Sequence, residues 1–155
     1  MEIKVLAEVY RIGIDIGLLT AQDAIQWADN IIEHMESPPY ELIDLSLSGN
    51  ESEEDICFKL SHVNGNFDEE LPPKIILSLI NELVLEQEEL RIAVRVLDRF
   101  IHHLPPSLEW IEKDIHYLSD GYYLAEQTIG DLETISNELR AFLQPYAQYQ
   151  TYLSL

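Results

Sequence analysis

A chain of 155 residues with 29 Asp plus Glu against 9 Lys plus Arg, a formal net charge of -20, is long enough to bury one continuous core and too acidic to attract a polyanion. Apolar residues make up 46% of it and recur at regular spacing, which excludes a disordered chain, while the charge disfavours nucleic acid and anionic membranes as partners. Cys57 is the single cysteine, so an intramolecular disulfide is excluded and a cytoplasmic setting is expected. Met1-Glu2-Ile3-Lys4 lacks the basic start and apolar run of a signal peptide. No stretch approaches the ~20 apolar residues of a membrane helix.

Along the chain, Val5, Val9, Ile12, Ile16 and Leu19 repeat at helical spacing and predict a helix over residues 2–17, stopped by Gly17. Thr20, with Asp23 three residues on, reads as an N-cap. A second helix then runs to about Glu36 on a stripe of Ala21, Ala24, Ile25, Ala28, Ile31, Ile32 and Met35. Ser37-Pro38-Pro39 punctuates the chain, with Ser37 as a cap. Residues 40–48 are ambiguous, because Ile43, Leu45 and Leu47 alternate with polar residues as in a strand. No second strand is available to pair with them, so a short helix ending at Gly49 is expected.

Ser52 with Asp55 starts another helix, through Ile56, Phe58, Leu60 and Val63. The acidic stretch 50–70 is the expected mobile segment. Leu71-Pro72-Pro73 opens a helix with the stripe Ile76, Leu79, Ile80 and Leu83, and the run Glu86 to Glu89 marks a turn. Leu90, Ala93, Val94, Leu97, Ile101 and Leu104 form the next stripe. After Leu104-Pro105-Pro106 come Leu108, Ile111, Ile115 and Leu118, an interruption at Gly121, and a helix from Leu124 to Leu143. The Pro-Pro pairs begin at residues 38, 72 and 105, each ahead of two helices. The expectation is an all-α fold of seven to eight helices in antiparallel hairpins, either a compact bundle or a short helical-repeat-like stack. It forms a single domain over 1–155, whose tail, 146–155, docks on its own body or forms a dimer. The tetratricopeptide consensus is not matched.

No catalytic constellation emerges. Cys57 reads as a buried, inert thiol whose acidic neighbours Glu53, Glu54 and Asp55 raise its pKa. Nucleophile elbows, glycine-rich phosphate loops and dinucleotide fingerprints are absent. The i, i+4 pairs Asp98–His102 and Glu112–His116 converge poorly, so neither metal nor cofactor is expected. Arg91, Arg95 and Arg99, with His102, line the face of a helix opposite its apolar stripe. They form either an anion site or a set of ion pairs with Glu88, Asp98 and neighbouring helices. Trp27 and Trp110 fall at the edges of apolar stripes, and Tyr146, Tyr149 and Tyr152 recur every third residue, as aromatics at binding surfaces or core margins do.

These features favour a non-enzymatic acidic interaction module, an adaptor or assembly protein whose protein partner has a basic surface. The alternatives are an immunity-type inhibitor of a basic enzyme such as a nuclease, and an anion- or small-ligand-binding domain on the arginine face.

Overall fold

A side chain that accepts from the unpaired first amides of a helix marks where several helices of this chain begin. The computed structural model describes residues 2–87, 89–128 and 131–153, without the side chains of Glu86 and Gln87. It contains eight α-helices and, among the described residues, no strand. The chain divides into two compact units, Met1–Asp68 and Glu69–Leu155.

The first unit holds α1 (Ile3–Asp15), α2 (Ala21–His34), α3 (Tyr40–Ser46) and α4 (Glu53–Ser61). At the end of α1, Gly17 takes φ 80°. The amide of Gly17 donates to Ile14 O at 3.1 Å and that of Leu18 to Gly13 O at 2.8 Å, the paired bonds of a Schellman stop. The reversal folds Leu19 onto Gly13 so closely that a Cβ there would lie 2.5 Å from Leu19 Cδ1. Thr20 then caps α2 in a full capping box. Its hydroxyl accepts from the Asp23 amide at 3.1 Å, and the Asp23 carboxylate accepts from the Thr20 amide at 2.7 Å. Ser52 caps α4 through the Asp55 amide.

Residues 40–46 are helix because Leu42 and Leu45 bury at i, i+3, whereas Ile43 and Leu47 stay exposed. The apparent alternation joined residues that lie on different faces. Pro39 precedes this helix, and Ser37 makes no cap. Packing within the unit is nested: α1 lies mainly against α4 and α2 mainly against α3. The Lys4 ammonium holds Ser61 O at 3.0 Å, and the Ser46 hydroxyl donates to the Asp29 carboxylate.

The second unit holds α5 (Leu71–Gln87), α6 (Leu90–Phe100), α7 (Trp110–Gln127), α8 (Leu132–Leu143) and a 3-10 helix, Gln144–Leu153, with two short 3-10 turns between α6 and α7. Beyond the expected Ile76 and Ile80, α5 also buries Ile75, Leu77 and Val84, because α6, α8 and the 3-10 helix surround it. A helix apolar on nearly every side is the one that others pack around. Gly121 does not interrupt α7, a correction to the sequence expectation. A Cβ at Gly121 would meet Ile135 Cδ1 at 2.6 Å, so glycine here lets α8 approach. The break instead falls between Gln127 and Leu132, where Asp131 caps α8 through the Thr134 amide at 3.0 Å. Residues 129–130, and Glu88 in the acidic run before α6, lie outside the described residues. No described helix is long and apolar enough to cross a membrane.

Candidate functional site: an aromatic, acid-rimmed groove

On α6 the three arginines are exposed, and α7 supplies an acidic partner to Arg91. Arg91 reaches Glu126 on α7 at 2.9 Å, a pair with a neighbouring helix of the kind the sequence suggested. Tyr122 joins this pair and, with Arg91, holds the Glu126 carboxyl below its usual range. Asp98 accepts from the Tyr123 hydroxyl at 3.1 Å rather than facing His102. Arg95 adds positive field at Glu126 and Tyr123, and Arg99 is engaged as well. His102 is exposed on the turn after α6, and His116 reaches Glu112 at 3.3 Å. No cluster of three or more metal-ligating side chains occurs among the described residues.

The aromatics separate. Trp27 is 5% exposed and stacks on Tyr10 with ring centroids 5.0 Å apart, which places it in the core and not at the binding surface that was one of its two expected places. Trp110 is 61% exposed at the first residue of α7. Tyr146, Tyr149 and Tyr152 form a ladder with successive centroids 6.5 Å apart. A 3-10 helix has three residues per turn, so i, i+3 and i+6 eclipse. This helix lies along α5, and Lys74 on α5 sits 5.7 Å from the Tyr149 ring centre. Cys57 is half-buried, and burial, then Asp15, pushes its thiol pKa up.

The site that the sequence did not single out is in the first unit. Asp55, Phe58 and Lys59 of α4 and His62 just after it fall at i, i+3, i+4 and i+7, one stripe, and face Tyr40, Glu41 and Asp44 of α3, with Glu51 from the connecting turn. They line a mostly apolar groove of about 450 Å³. Tyr40 is 76% exposed and Phe58 64%, although Phe58 was expected within the buried stripe. The Phe58 ring lies 4.2 Å from the His62 ring, and His62 Nδ1 lies 2.8 Å from Phe58 O. A carbonyl oxygen only accepts, so the tautomer with hydrogen on Nδ1 ties the two rings to one backbone turn; the Ser61 hydroxyl lies 3.0 Å from the same nitrogen.

Lys59 crosses the groove. Its ammonium donates to Glu51 Oε2 at 2.6 Å, Ser48 Oγ at 2.7 Å and Asp44 Oδ1 at 3.3 Å. The fully buried Ser48 hydroxyl donates onward to Asp44 O at 2.8 Å. The bond to Glu51 raises the Lys59 pKa, and the same bond lowers that of Glu51. Glu41 accepts from Asn64 Nδ2 at 2.8 Å. The Asp55 carboxylate has no partner among the described residues.

A shallower depression of about 290 Å³ lies between α7 and α8. Its acids are satisfied internally, Glu138 by Tyr117 and Asp131 by Thr134, so it offers less to a ligand. The sequence carried one signal for the α4 stripe, a second amphipathic period beside Ile56, Leu60 and Val63. Comparison with protein-family models, curated proteins and solved structures finds no match to this chain.

Proposed function

We propose that this chain is a non-enzymatic interaction module that docks a basic segment of a protein partner in the α3–α4 groove. The observation that carries the reading is an exposed aromatic floor set among four carboxylates, Glu41, Asp44, Glu51 and Asp55, with Lys59 the only cation among the lining residues. Exposed apolar surface rimmed by charge is the usual anatomy of a docking site.

Charge complementarity selects the occupant. Residues 1–68 hold fourteen acids and three cations. All three cations are committed: Lys4 and Arg11 to Glu8, and Lys59 to Asp44 and Glu51. The field over the groove is therefore negative, which speeds encounter with a basic partner and repels nucleic acid.

The test compares baits from the native cell extract: wild type, Tyr40→Ala, Phe58→Ala and, as a control, Arg95→Ala. The expected result is one protein retained by wild type and by Arg95→Ala in low salt. Each groove variant should lose it about tenfold or more, the scale of an aromatic anchor's truncation, and moderate salt should release it. A partner held equally by all four baits would place docking elsewhere.

A further inference from the structure

We infer that the groove receives one guanidinium, an arginine side chain of the docked segment, and that Lys59 is its internal competitor. The inference rests on the docking reading above and names the group the groove selects.

Two features favour guanidinium over ammonium, and a third shows that the groove's acids can hold a cation. The first is the platform. Phe58 is exposed and backed by His62 at 4.2 Å, so the ring is held before anything binds. A guanidinium is planar and weakly hydrated and stacks on such a face, whereas an ammonium gives up more hydration to do so. The second is the acceptor. Asp55 stands one helical turn before Phe58 and Lys59 on the same stripe, and its carboxylate has both oxygens unclaimed among the described residues. A carboxylate with two open oxygens matches the two parallel N–H groups of arginine. The third is Lys59 itself. Asp44 and Glu51 already converge on its ammonium at 3.3 and 2.6 Å, so these elements can hold a cation between them. The groove's volume of about 450 Å³ leaves space for a further side chain beside Lys59. In the unbound protein Lys59 keeps Asp44 and Glu51 from repelling each other. An arriving cation meets one like charge and competes for the same oxygens.

The experiment titrates the isotope-labelled full chain with short amphipathic peptides, followed by amide NMR shifts. The peptides are identical except for a central arginine, lysine, citrulline or norleucine. The arginine peptide should shift residues of α3 and α4 and bind about three- to fivefold tighter than the lysine peptide. Citrulline keeps the shape without the charge, and both it and norleucine should bind more weakly than lysine. Phe58→Ala should abolish the preference for arginine over lysine. Lys59→Met should tighten the arginine peptide, with Lys59→Gln as a second variant and circular dichroism confirming that each is folded.

Equal binding of the arginine and lysine peptides, both ahead of citrulline, would overturn guanidinium selection and leave basic docking standing. Weaker arginine binding by both folded Lys59 variants would overturn the competitor role. If no peptide moves α3 or α4 amides, the docking reading itself fails.

Discussion

Trp27 and Trp110 stand at similar places relative to their apolar stripes, yet their side chains have opposite fates. Trp27 lies between α2 and the Tyr10 ring, and its indole Nε1 is buried without a hydrogen-bond partner. An orphaned donor costs free energy, so the packing of the ring must outweigh it. Trp27→Ala should therefore destabilise the protein by about 3–5 kcal/mol, the cost of removing a large buried aromatic. Trp110→Ala should stay within about 0.5 kcal/mol of wild type, as exposed substitutions do. Urea denaturation of both variants measures this, and comparable losses would contradict the placement. The sequence could not separate the two, because a position some 100° off a stripe is buried or exposed according to how wide the neighbouring helices make the contact. Phe58 shows the converse. It fell within an apolar run, but Ile56, Leu60 and Val63 suffice to anchor α4, so Phe58 is turned outward.

At the scale of the helix, the termini with a local capping signal were legible in the sequence. A hydroxyl or carboxylate three residues ahead of an amide is a local signal, and Thr20 and Ser52 cap as their spacing predicts. Asp131 was missed because Gly121 offered a more conspicuous break. Its glycine is needed for contact with Ile135, a tertiary requirement that spacing cannot reveal. The 3-10 form of Gln144–Leu153 was legible only as the three-residue period of its tyrosines. The Asp131 cap makes a test with a definite sign. Its carboxylate accepts from the Thr134 hydroxyl and amide, and these bonds lower its pKa from the ordinary aspartate value. A folded-state pKa below the unfolded one contributes stability above the unfolded value and loses it as pH falls through the folded value. Asp131→Ala should accordingly lower the melting temperature at neutral pH. Its difference from wild type should shrink as pH drops below the normal aspartate range. A difference that does not change with pH would show that the cap does not depend on the ionised carboxylate.

For the whole chain the dominant quantity is the net charge of -20. The all-helical class was legible from apolar periods alone, but the groove was not, because it is made by two short helices and the turn joining them. Charge then sets how this molecule responds to salt. Its ion pairs near the surface, such as Arg91–Glu126 and Lys74–Glu70, each contribute little, and salt weakens them. Against them stands the mutual repulsion of 29 carboxylates with only 9 Lys and Arg to offset it, which salt also weakens. Raising sodium chloride from about 10 to about 150 mM shortens the screening length from roughly 30 to roughly 8 Å, so the more distant like-charge interactions are lost first. The pairs, in direct contact, are screened less than the repulsion spread over each unit. The melting temperature should therefore rise across this range, followed by circular dichroism at neutral pH, where every carboxylate of ordinary pKa is ionised. A melting temperature that falls with chloride would mean that local pairing outweighs repulsion. The same range should weaken the docking of a basic segment, because screening removes attraction between molecules as well as repulsion within one. Opposite movements of stability and affinity with salt are the outcome expected from the proposed docking, a signature that loss of folding cannot imitate.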